Sequence, residues 1–174
     1  FNAVAQGYSC DLIASWLKSR GCTSMLVDVG GEIYCCGMNP SASSWTIGID
    51  APKDGNNTPG AILQGRFRVP AQGRGVVTSG NYRKFYYRDG KKISHTIDPR
   101  TGESVSHSLL SATIVLDSDD FPAMKADAYA TYCMVVGLDS ARDFVLSRPG
   151  MEACLVYAAD TLMASWTSPG LALE

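Results

Sequence analysis

Apolar positions along the 174-residue chain change period several times, and each change predicts a new element. Residues 3–20 are spaced as a helix. Tyr8, Leu12 and Trp16, flanked by Ile13 and Leu17, form an apolar stripe of the kind that faces a core, and Gly21 stands where a C-cap belongs. Residues 24–29 and 32–36 read as short strands joined at Gly30-Gly31, most simply a hairpin turn. Residues 45–49 alternate as another strand. A polar loop, 51–60, leads to strands at 61–69 and 75–78, and aromatic-rich 82–87 turns at Asp89-Gly90 into a strand over 91–97.

Residues 109–116 are apolar almost throughout and predict a buried strand. Ser118 can cap the next helix, with Pro122 near its first position; that helix runs over 122–136 and stops at Gly137. A shorter helix over 139–146 ends at Pro149-Gly150, and 152–157 with 161–166 form a closing hairpin. This order predicts an α+β fold, a largely antiparallel sheet packed with helices. No βαβ alternation or internal repeat occurs, and the only linker-like tract is 51–60, so residues 1–174 are expected to form a single domain.

Composition narrows the function classes. With 45% apolar and 18% charged residues the chain suits a folded globular protein rather than a disordered one. The formal net charge is −2 and there is no basic run, which argues against nucleic-acid binding. No apolar run approaches the roughly 18 residues a membrane helix needs. The chain opens at Phe1, without an initiator methionine or signal-like segment, as expected of a processed or excised piece. Six cysteines contain no C-x-x-C pair, so a thiolate metal site has little support. Cys35 and Cys36, adjacent on a strand, should point to opposite faces, and most of the six should be small buried hydrophobes in a redox setting left open.

Candidate chemistry centres on Ile-Ser-His-Thr-Ile-Asp-Pro-Arg-Thr-Gly, residues 93–102. His95 stands at a strand end, three residues before Asp98 and six before Thr101. It is either a hydrogen-bonded strand histidine or a base. Asp127 and Thr131, four residues apart, project from one helix face among small apolar residues. The aspartate either faces water in an early turn or, with a hard cation such as Mg²⁺, forms a metal site. Gly7 fits a tight helix contact or a ligand approaching a helix N-terminus, and Gly30-Gly31 fits a turn or bare backbone against a ligand. A P-loop, a dinucleotide fingerprint and a G-x-S-x-G elbow are all absent.

Five ordered segments carry a resemblance: Ala-Gln-Gly-Tyr-Ser-Cys-Asp (5–11), Asp-Val-Gly-Gly-Glu-Ile (28–33), Thr-Ser-Gly-Asn-Tyr-Arg (78–83), Ser-His-Thr-Ile-Asp-Pro-Arg-Thr-Gly (94–102) and Ala-Asp-Ala-Tyr-Ala-Thr (126–131). Together they closely resemble the catalytic, C-terminal portion of the FAD:protein FMN transferases, the ApbE-type flavin transferases once called thiamine-biosynthesis lipoproteins. The resemblance runs to Gly137 and weakens beyond it. It implies an ApbE-like, T-fold-related architecture lacking the family's N-terminal portion. Mg²⁺ on the FAD diphosphate would be held by Asp127, Thr131 and the main-chain carbonyl of Ala3. His95 would deprotonate a threonine of an acceptor protein, a redox-pump subunit or flavin-carrier domain, with FMN transferred and AMP released. Gly7, Tyr8, Asp11, Gly30, Gly31, Glu32, Ser79 and Gly80 would line the FAD site, with Asp98 and Thr101 shaping the loop.

The resemblance further implies that the full-length protein is exported and lipid-anchored on the periplasmic side or cell envelope. Gln6 departs from the family's usual lysine. Two alternatives stand beside transfer: Mg²⁺-dependent hydrolysis of FAD to FMN and AMP, and a non-catalytic flavin-binding fragment. Hydrolytic members tend to carry a second carboxylate at the position of Thr131, which favours transfer here.

Overall fold

A computed structural model describes residues 2–53, 55–56, 58–81, 85–88, 91–160 and 162–174, with backbone alone at 85–88 and 91–94. The turn expected at Asp89-Gly90, and residues 82–84 of the preceding segment, lie outside the described residues. The elements are α1 (Ala5–Ser19), β1 (Met25–Val29), β2 (Glu32–Cys36), β3 (Trp45–Asp50), β4 (Leu63–Val69), β5 (Arg74–Gly80), β6 (Phe85–Arg88), β7 (Lys91–Ser94), β8 (Leu109–Leu116), α2 (Pro122–Val136), α3 (Leu138–Leu146), β9 (Met151–Ala159) and β10 (Leu162–Thr167). Six strands form one sheet in the order β1-β2-β5-β8-β9-β10, every neighbouring pair antiparallel. Strands β3 and β4 form a second sheet, and β6 with β7 a third.

The large sheet is covered on both faces, which explains the continuous apolar run of β8. On one face Leu109, Ala112, Ile114 and Leu116 pack against Ala126, Ala130, Cys133 and Met134 of α2 and Ala141 and Val145 of α3. On the other, Val115, with Val76 and Val156, meets Ile47, Ile49, Phe67 and Val69 of the β3–β4 sheet. Burying each of Leu109, Ile114 and Phe67 contributes about 1.5–3 kcal/mol. Cys35 and Cys36 do point to opposite faces, the first toward the β3–β4 sheet and the second toward α1.

Helix α1 corrects one expectation. Its buried positions are Gly7, Cys10, Asp11 and Ala14, whereas Tyr8, Leu12, Ile13 and Trp16 are exposed, Trp16 by 58%. The small side chains let α1 approach α2 and the sheet closely, and of the bulky stripe only Leu17 packs against the core. A second correction concerns the start of α2. Ser118 does not cap it; the N-cap is Phe121, at φ 47° and ψ 57°, with no side-chain cap of its own. The left-handed turn leaves Ser118 outside the helix, bonded instead to Asp120 and Lys125. Third, β7 ends at Ser94, paired with Phe85, so His95 lies beyond the strand and not within it.

The first turn of α2 is wedged against glycine on two sides. A Cβ on Gly75 of β5 would lie 2.3 Å from the Pro122 carbonyl carbon, and one on Gly7 would lie 2.4 Å from the Ala123 carbonyl oxygen. Gly75→Ala should therefore cost about 2 kcal/mol or more, roughly 4–8 °C in Tm. Trp16→Gln, on the exposed stripe, should change stability by no more than about 0.5 kcal/mol. Thermal denaturation of the two variants checks both, and equal losses would mean that the stripe is core.

Candidate functional site

Neither α1 nor α2 caps its own N-terminus with a side chain. Each is capped by a buried carboxylate of the other. Asp11 of α1 accepts the Ala123 amide at 3.2 Å through Oδ1 and the Met124 amide at 2.8 Å through Oδ2. Asp127 of α2 accepts the Gly7 amide at 3.2 Å through Oδ2. In sequence the exchange is symmetric: Gly7 and Asp11 are one turn apart on α1, and Ala123 and Asp127 one turn apart on α2. Gly7 is thus a tight helix contact and also an amide donor.

Both carboxylates are nearly inaccessible, Asp11 at 7% and Asp127 at 3%. Burial pushes each above the ordinary carboxylate range. Two amides oppose this at Asp11 and one at Asp127, so the two differ in what remains unsatisfied. The Gly7 amide meets Oδ2 of Asp127, and a desolvated carboxylate gains from a cation or a proton that meets it.

The two other candidate oxygen ligands lie one on the same helix as Asp127 and one just before the helix it caps. Thr131, one turn further along α2, has its Oγ1 3.3 Å from Ser79 Oγ at the end of β5. Ala3 precedes α1, whose first helical bond runs from the Tyr8 amide to the Val4 carbonyl at 2.9 Å. Because the Gly7 amide is directed at Asp127, it does not close the ladder onto the Ala3 carbonyl. A carboxylate, a hydroxyl and a main-chain carbonyl suit Mg²⁺ better than a soft metal. No group of three or more His, Cys, Asp or Glu side chains among the described residues converges to hold a metal.

His95 is exposed, and the loop that carries it is tied to the same strand end. Thr96 Oγ1 donates to Asn81 Oδ1 at 2.9 Å, and the Asn81 amide donates to the Leu110 carbonyl at 3.0 Å. Asn81 follows Gly80, which pairs with Ser111, and Gly80 follows Ser79. Bonded and sequential neighbours thus run from His95 through Thr96, Asn81, Gly80 and Ser79 to Thr131 on α2. Within the loop the Asp98 carbonyl accepts the Thr101 and Gly102 amides, and Thr101 Oγ1 accepts the Glu103 amide. The Arg100 guanidinium, bidentate on Asp98, together with the Arg100 amide holds that carboxyl at about 2.

The other candidates are distributed around this line. Gly30 and Gly31 form the two-residue β1–β2 turn at φ 71° and 106°, with the Gly31 amide bonded to Asp28 Oδ1 at 2.9 Å. Gln6 Nε2 reaches the Val29 carbonyl at 3.3 Å and lies over Gly30, bringing this turn to the start of α1; Glu32 begins β2 just beyond it. Tyr8 is 41% exposed and its ring lies 5.5 Å from that of Phe121. Sequence reasoning missed the capping function of Asp11 and the anchoring by Asn81. The signal for the latter was present, since Asn81 lies in the quoted Thr-Ser-Gly-Asn segment. Five of the six cysteines are buried and all are free, with burial pushing the Cys133 thiol up to about 12, as suits core residues.

Two helices that cap each other with buried carboxylates, and a loop histidine tied through Asn81 to the end of β5, define an α+β protein whose candidate residues gather around the starts of α1 and α2 and the end of β5. The ApbE family model matches residues 1–155, and the chain belongs to that family. It is 34% identical over 168 residues to the FAD:protein FMN transferase of Escherichia coli K12, covering 97% of this chain and 45% of that protein. The Treponema pallidum FAD:protein FMN transferase is 31% identical, with 94% and 44% covered. Among solved structures, the Pseudomonas stutzeri flavinyl transferase ApbE in its apo form superposes with a TM-score of 0.77 at 31% identity, covering 97% of this chain and 49% of that one. The Thermotoga maritima ApbE protein gives 0.76 at 25%, with 96% and 50% covered. The chain thus spans about half the length of the relatives it matches.

Burial of Asp127 yields a pH prediction. Its folded-state pKa lies above the unfolded one, so the folded state binds the extra proton and stability falls as pH rises through this interval. Asp127→Asn removes that dependence. Without divalent cations, the Tm of the wild type minus that of Asp127→Asn should become more negative from about pH 4 to pH 7. A difference independent of pH would show that the carboxylate is not desolvated.

Proposed function

We propose that this chain is the catalytic portion of a Mg²⁺-dependent flavin transferase that moves FMN from FAD to a threonine hydroxyl of an acceptor protein and releases AMP. The observation that carries the reading is the line of bonded and sequential neighbours from the His95 loop to Thr131, one helical turn from Asp127, set among five ordered motifs of a family whose relatives are named FAD:protein FMN transferase. Asp127, Thr131 and the Ala3 carbonyl would hold the cation, which supplies neutralising charge at the phosphoryl oxygens when bound. His95, exposed on its loop, is available to an acceptor from outside and takes the hydroxyl proton. The threonine oxygen then bonds to the FMN-side phosphorus as the bond to the AMP oxygen breaks. The positive end of α1 and the close approach that the Gly30-Gly31 backbone allows suit the diphosphate and cofactor.

Incubation with FAD, Mg²⁺ and a threonine-bearing acceptor domain should put covalent flavin on the acceptor, read by in-gel fluorescence and mass. His95→Ala should lower the transfer rate about 10²–10⁴-fold while leaving FAD affinity largely intact. FMN and AMP without labelled acceptor would establish hydrolysis instead, and no turnover with FAD bound would establish a binding fragment.

A further inference from the structure

The reciprocal capping gives Asp11 a task beyond lining a cofactor site. Both of its oxygens are occupied by the Ala123 and Met124 amides, so its carboxylate is committed to the first turn of α2. Asp127 lies four residues after Ala123 and three after Met124, on the face that this turn presents to α1. Among the described residues no other side chain is seen to cap it: Phe121 offers none, and Ser118 is engaged with Asp120 and Lys125. The turn is also confined by backbone contact at Gly7 and Gly75, so a small displacement of its amides cannot be absorbed by flexible side chains. We propose that Asp11 is a positioning residue: by fixing the first turn of α2 against α1, it sets Asp127 at the distance from the Ala3 carbonyl that a divalent cation requires.

This rests on the reading that Asp127 holds the cation, and the test separates the two. Mn²⁺ alone is titrated into the full 174-residue chain, and bound metal is measured by the loss of free-ion EPR signal, alongside Tm. Asp11→Ala should weaken Mn²⁺ binding about tenfold or more, as loss of a residue supporting a ligand does. Asp11→Asn, which still offers an acceptor to at least one amide, should recover most of it. Ser168→Ala serves as the stability control. Ser168 is buried at the opposite edge of the large sheet, where it accepts the Ala153 amide at 2.8 Å and bonds Glu152. Its loss should lower Tm and leave Mn²⁺ affinity unchanged.

Mn²⁺ affinity that follows Tm alike in Asp11→Ala and Ser168→Ala, or that does not change in Asp11→Ala, overturns the positioning function. If Asp11→Ala does not fold, Asp11→Glu decides by the same readout. It keeps the charge but pushes the first turn of α2 away by a methylene, so unchanged affinity overturns the proposal. Asp127→Asn that binds Mn²⁺ as the wild type does overturns the underlying metal reading instead.

Discussion

Everything at the site depends on one exchange, in which the first turns of α1 and α2 trade carboxylates. Asp11 receives the amides of Ala123 and Met124, and Asp127 receives the amide of Gly7. A helix N-terminus carries orphan donors and partial positive charge, so a buried carboxylate is well placed there even without water. The arrangement is lopsided. Asp11 is satisfied by two amides and finished as a structural group, whereas Asp127 has only one and stays in electrostatic deficit. On the proposed reading, the same geometry that stabilises the helix pair leaves Asp127 as the carboxylate that would meet a cation.

Much of this was legible in the sequence. The strand boundaries of β2 and β8 and the full extent of α2 follow from their apolar patterns and from Pro122 and Gly137. That Asp127 and Thr131 share one flank of α2 could be read from helical spacing alone. Helix α1 was legible as a helix but not in its orientation. A hydrophobic stripe assumes that contact is made by large side chains, while here the contact is a close approach that only Gly7, Cys10, Asp11 and Ala14 permit. The cap of α2 was equally out of reach, because its donor and acceptor are 112 residues apart. A local Ser-x-x-x-Pro pattern pointed to Ser118, and long-range packing overrode it.

The loop of His95 shows a further limit of periodicity. Ile93, His95 and Ile97 alternate as a strand, yet β7 ends at Ser94, opposite Phe85, and His95 lies in a bend beyond it. The chain is held there by Thr96 on Asn81 and by the bridge of Ile97 to Ser104. Membership of the ApbE family, with solved relatives of about twice this length, means that the fold described is one part of a larger framework in those proteins.

The Gly7 amide reports directly on the central exchange, because its proton points at Asp127. Its ¹H–¹⁵N resonance should be followed by NMR through a pH titration, and then through addition of Mg²⁺ at neutral pH. The account predicts that this amide titrates with a carboxyl group of raised pKa, loses that titration in Asp127→Asn, and shifts when Mg²⁺ is added. A Gly7 resonance indifferent to pH, to the substitution and to Mg²⁺ would contradict it.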